Sequence, residues 1–126
     1  MNNKDKILLK LFKNKLYKAK NRPKYKGGGT PKKFDKDVDE YYLLRMWHRQ
    51  KGRCKYSDLI MDYKPLKDGN RGTKNPKIVS IDRIDSNKGY VKGNIVLVCW
   101  MSNFIKKNFN LSYIKKYFKK VIWANK

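Results

Sequence analysis

Residues 78–107 read IVSIDRIDSNKGYVKGNIVLVCWMSNFIKK and hold a dense set of side chains able to do chemistry. Asp82 closes an apolar, β-branched segment, Asn94 follows Gly93 into the next one, and Asn103 precedes Lys106 and Lys107 in the segment after that. Arg83 stands beside Asp82. Its guanidinium stays protonated, so it can hold a phosphate or offset charge growing on one, but it cannot take a proton from water. Groups that can take a proton lie apart from this pair. His48, the only histidine, is 35 residues before Arg83, and Asp85 and Tyr90 follow it in a turn-rich stretch. Each residue also has a plainer reading: Asp82 and Asn94 as turn residues, Asn103 as a surface amide, His48 as a helix residue among Arg45, Arg49 and Lys51.

The elements that must position these groups follow from periodicity. Ile7, Leu8, Leu11, Phe12 and Leu16 recur near every 3.6 residues, which predicts a helix over 4–21 with lysines on its other face. Pro23 and the run from Lys26 to Pro31 stop it and form a joint. Asp37 with Glu40 three residues on reads as the cap of a second helix, running to about Lys51 with Gly52 as its terminator. Residues 53–57 read as the first arm of a hairpin and 64–76 as a surface loop. Alternating β-branched residues predict a strand over 77–82, and 94–99 reads as a second strand, followed by a helix over 100–108. Ser112 reads as the cap of a last helix with Tyr113, Ile114, Tyr117, Phe118, Val121 and Ile122 on one stripe. The division expected is a basic amphipathic arm over 1–26, a Gly/Pro/Lys linker over 27–36, and one domain over 37–126.

The charge balance names a partner class. The chain carries 33 Lys/Arg against 10 Asp/Glu over 126 residues, a net charge of +23. So much self-repulsion is relieved by a polyanion, of which nucleic acid is the first candidate. Residues 1–36 hold 13 Lys/Arg against Asp5 and Asp35, and residues 101–126 hold seven lysines and no acid. Lys10, Lys13, Arg83, Lys106, Lys107, Lys115, Lys116, Lys119 and Lys120 are the expected phosphate contacts. An aromatic content of 13% implies a small packed core rather than a disordered tail. Two cysteines, Cys54 and Cys99, are too few for a secreted disulfide scaffold. The longest apolar run, 95–101, is too short to span a bilayer, so the expectation is a soluble, intracellular protein.

The strand–loop–strand–helix pattern of 78–107, with its Gly-Tyr-x-x-Gly-Asn turn, resembles the HNH or ββα-metal nuclease superfamily, including the phage endonuclease VII branch. The resemblance covers Gly52 to Lys107. It implies an α+β fold, a small ββα-metal core flanked by basic amphipathic helices. It implies metal-dependent DNA hydrolysis, with Asp82 and Asn103 seating a divalent ion such as Mg²⁺ and Asn94 tying the loop to itself. A carboxylate and one amide leave such an ion open positions for a phosphate. Two departures qualify the resemblance. Arg83 stands where the family has its general base histidine. The two family zinc knuckles read Cys54-Lys-Tyr-Ser57 and Cys99-Trp-Met-Ser102, each with Ser for its second Cys, so no structural zinc is expected. The alternative is a non-catalytic DNA- or RNA-binding protein on a degenerate version of this fold.

Overall fold

The computed structural model describes residues 1–21, 33–64, 75–110, 112–114 and 116. It is a mixed α and β protein with element order α1 (Asn3–Lys20), α2 (Glu40–Arg49), β1 (Val79–Arg83), β2 (Ile95–Cys99) and α3 (Trp100–Asn108). No helix of the described residues is long and apolar enough to cross a membrane.

α1 starts at Asn2, whose Oδ1 accepts the Asp5 N–H at 2.7 Å. Leu8, Phe12 and Leu16, four residues apart, form one stripe that is buried in the common core with Leu43, Trp47, Val79, Leu97 and Val98. The arm is therefore a packed element, docked on α2 and sharing one apolar cluster with the sheet. α2 begins later than its sequence suggests. Asp39, not Asp37, is the N-cap, and its Oδ1 accepts the Tyr42 N–H at 2.9 Å. Asp37 instead donates its own N–H to Asp35 Oδ1 in the preceding turn. The helix stops at Arg49, and Lys51 and Gly52 both take positive φ. A Cβ on Gly52 would press on the Trp47 indole at 3.1 Å, so the chain turns here against the core ring.

Residues 53–61 form a tight knuckle closed by an Arg53–Ile60 bridge, with Cys54 N–H on the Leu59 carbonyl and Asp58 N–H on the Cys54 carbonyl. β1 and β2 pair antiparallel, Val79 opposite Cys99 and Arg83 opposite Ile95. Gln50 serves the outer edge of β2. Its Oε1 accepts the Leu97 N–H at 3.1 Å and its Nε2 donates to the Leu97 carbonyl at 2.9 Å, as a third strand would. α3 starts directly at Trp100 and packs back over both strands.

Past α3, the side chain of Asn110, not Ser112, accepts the N–H groups of Ser112 and Tyr113. The remainder of the expected last helix, with Lys115, Lys119 and Lys120, lies outside the described residues, as does most of the linker.

Candidate functional site

Asp82, the fourth residue of β1, is buried at 5% exposure. A buried carboxylate needs partners that offset its lost hydration. Two side chains supply them. The Tyr56 hydroxyl, from the knuckle, donates to Asp82 Oδ2 at 2.5 Å. The Lys106 ammonium, from α3, reaches the same oxygen at 2.6 Å. Lys106 also donates to the Tyr56 hydroxyl at 3.0 Å and to the carbonyls of Arg83 and Ile84 at 3.0 and 3.4 Å. Burial works against the Lys106 charge, but its bonds to Asp82 and Tyr56 outweigh that and raise its pKa above the usual lysine value. Burial, then the bond to Asp82, raises the Tyr56 phenol, which therefore stays protonated at neutral pH. The sequence placed Lys106 on a solvent-facing basic run; the structure turns it inward onto Asp82.

Asn103 lies one helical turn before Lys106, on the α3 face that covers β1. It is buried, and its Nδ2 donates to Ser80 Oγ at 3.2 Å and to the Ile81 carbonyl at 3.5 Å. A carbonyl can only accept, which fixes the orientation of the amide. Its Oδ1 is then a buried acceptor with no hydrogen-bond partner among the described residues. Ser80 and Asp82 leave β1 on the same face, and α3 meets that face with Asn103 on Ser80 and Lys106 on Asp82, which defines the β1–α3 groove. An orphaned amide oxygen on the same face as a buried carboxylate is a hard-oxygen donor set that fits a divalent ion such as Mg²⁺. Among the described residues no three His, Cys, Asp or Glu side chains gather as a metal cage, at this groove or anywhere else.

Successive strand side chains leave on opposite faces, so Arg83 points away from Asp82. Its Nη1 donates to the carbonyls of Ser86 and Lys88 at 2.9 and 3.3 Å, and the guanidinium lies 5.3 Å from the centre of the Tyr90 ring. Tyr90 stacks in turn on Phe34 at 4.8 Å. Segment 33–35 clamps this loop: Tyr90 N–H bonds the Lys33 carbonyl and Asp35 N–H bonds the Tyr90 carbonyl. A Cβ on Gly89 would overlap the Lys33 carbonyl, so the close approach requires glycine.

The loop is also held from within. Asn94 Oδ1 accepts the Asp85 N–H at 2.9 Å, and its Nδ2 donates to the carbonyls of Asp85 and Gly89 at 3.1 and 2.9 Å. Asn94→Ala strands those loop groups. It is expected to lower unfolding free energy by about 1–3 kcal/mol, read by urea titration. A loss within error would mean that water replaces the amide fully.

His48 lies elsewhere. Its Nε2 is 3.1 Å from Asp5 Oδ1 across the α1–α2 contact. It lines a shallow depression with Asp37, Asp39, Tyr42, Arg45, Arg49 and Lys92, and Asp82 is not part of that lining. Neither Asp85 nor Tyr90 is turned to the groove: Asp85 Oδ1 accepts the Asn87 N–H, and Tyr90 is buried in its stack.

The two Cys-x-x-Ser knuckles meet. Cys99 N–H donates to Cys54 Sγ at 3.2 Å, and Cys54 Sγ lies 3.6 Å from Ser102 Oγ. Burial raises the Cys54 pKa, but hydrogen bonds from Ser57, the Cys99 backbone and Ser102 prevail and lower it to about 7. Burial and the neighbouring Cys54 push Cys99 up to about 11. The pair fixes the knuckle to the β2–α3 junction, and so aims Tyr56, two residues after Cys54, at Asp82. Tyr56 and Gln50 escaped sequence reading. An exposed-looking tyrosine and a helix-end glutamine carry no periodicity, and their partners lie 26 and 47 residues away.

No protein-family model, curated protein or solved structure matches this chain.

Proposed function

We propose that the chain is a metal-dependent DNA endonuclease of the HNH-like type, hydrolysing phosphodiesters with an ion seated by Asp82 and Asn103. The observation that carries this reading is the Asn103 Oδ1 atom, buried and without a partner among the described residues, on the helix that also reaches the buried Asp82 carboxylate. A residue serving packing alone gains nothing from an orphaned acceptor, which costs about 1–3 kcal/mol. A divalent ion bound there would supply positive charge to a phosphate oxygen and to the leaving oxygen. The chain's own residues do the rest. Asn103 is oriented by Ser80 and Ile81, Arg83 and Asn94 hold the loop beside the seat, and the net charge of +23 draws the polyanion in. The proton of the attacking water must leave by a group other than Arg83 or His48, since one cannot accept it and the other is held at Asp5.

The second reading, a basic DNA- or RNA-binding protein without turnover, is favoured by one observation: Lys106 already neutralises Asp82. Plasmid incubation with pure protein and Mg²⁺ or Mn²⁺, beside EDTA, separates the two. Nicked or linear product that needs the metal is expected. Binding without cleavage under every divalent ion would leave the binder.

A further inference from the structure

We infer that Lys106 is a built-in exchangeable cation of the Asp82 seat, and that a divalent ion enters only by displacing it. This rests on the metal-seat reading above and adds what controls it.

Four oxygens surround the Lys106 ammonium: Asp82 Oδ2, the Tyr56 hydroxyl and the carbonyls of Arg83 and Ile84, at 2.6 to 3.4 Å. An ammonium has three protons to donate, so this shell exceeds what its hydrogen bonds can use. Carboxylate, hydroxyl and carbonyl oxygens are also the donors that hard divalent ions take. Asn103 Oδ1, on the helix turn before Lys106, is a further oxygen that the ammonium does not serve and that has no hydrogen-bond partner among the described residues.

The two partners differ in their freedom to leave. The Asp82 side chain is 6% exposed and the Lys106 side chain 31%. The carboxylate belongs to a paired strand and cannot follow solvent, whereas the lysine has a long flexible stem ending near the surface. Exchange is therefore one-sided: Lys106 swings out and Asp82 stays. With Lys106 in place the carboxylate is neutralised. With a divalent ion in place the seat is net positive, and the released ammonium adds a second positive charge on the α3 side, where a phosphate would lie. The lysine keeps the buried carboxylate paired before DNA and metal arrive, and its pairing weakens metal affinity.

Mn²⁺ titration by calorimetry, at fixed pH and ionic strength and without DNA, tests this. Lys106→Met keeps the stem and removes the competitor. It is expected to bind Mn²⁺ about 10- to 100-fold more tightly than wild type, the range spanned by hydrogen bonds to charged groups. Asp82→Asn in the Lys106→Met background is expected to abolish that binding. Equal or weaker binding by Lys106→Met, with wild type binding, would overturn the exchange while leaving the seat intact. No binding by either protein would overturn both. A second measurement needs no variant. Acetylation of Lys106 in the wild type, followed by peptide mass spectrometry, should accelerate when Mg²⁺ is added, and a rate that is unchanged or slower would overturn the exchange.

Discussion

Asp82→Ala is expected to abolish divalent-dependent cleavage, with a rate loss beyond the 10²–10³-fold, in round terms, of removing one well-placed electrostatic donor. The reason is its place in the groove. Among the described residues, Asp82 supplies the one carboxylate of the proposed seat, and Asn103 offers a neutral amide oxygen. A divalent ion does not surrender its hydration for one amide. The substitution also strands the Tyr56 hydroxyl and the Lys106 ammonium, so some stability is lost. Asp82→Asn, which keeps an acceptor for both, separates chemistry from folding and should be equally inactive. Arg83→Ala should lose less than that, acting only through the loop that its guanidinium ties to Ser86 and Lys88. His48→Ala should cut at the wild-type rate, since its partner is Asp5 and its surroundings share no residue with Asp82. An Asp82→Ala protein that still cleaves would move the active site away from the β1–α3 groove. A His48→Ala protein that binds DNA but no longer cleaves would place the base on α2.

The elements were legible where one periodicity ruled. The Leu8–Phe12–Leu16 stripe marks α1, and the two segments read as strands fall within two residues of β1 and β2. Element ends were less legible because several acids compete for one cap. Asp35, Asp37 and Asp39 all precede α2, and only packing of Leu43 and Trp47 selects Asp39. The family resemblance singled out Asp82, Asn94 and Asn103, and all three are buried polar residues in the structure. The direction of Lys106 was not. A lysine followed by another lysine in a basic tail looks solvated from sequence, and only the rotation of α3 over β1 turns one of the two inward. Arg83 likewise reads as an anion-facing cation, while the strand's two-residue alternation directs it to its own loop.

Substituting Lys6, Lys10, Lys13 and Lys20 together by Gln should make the salt dependence of duplex DNA binding clearly shallower. These four lysines share one exposed face of α1, with the exposed Tyr17 among them, while Leu8, Phe12 and Leu16 turn inward on another. The helix therefore holds its basic face in a fixed row, and α1 contains a single acid, Asp5, which is engaged by His48. Deleting the arm would not test this, because the deletion also removes three buried core residues and the fold would fail with the binding. Gln keeps helix propensity and stem length and removes only charge. Each phosphate neutralised contributes about −0.9 to the log–log slope, so losing four contacts changes it by up to about 3.6. Between 50 and 200 mM salt, that difference makes the affinity loss of the variant roughly 100-fold smaller than that of the wild type. Fluorescence anisotropy on one duplex at several salt concentrations reads it directly, with thermal melts to confirm that α1 stays packed. An unchanged slope in a folded variant would mean that α1 serves the core alone, and that DNA meets basic residues outside α1.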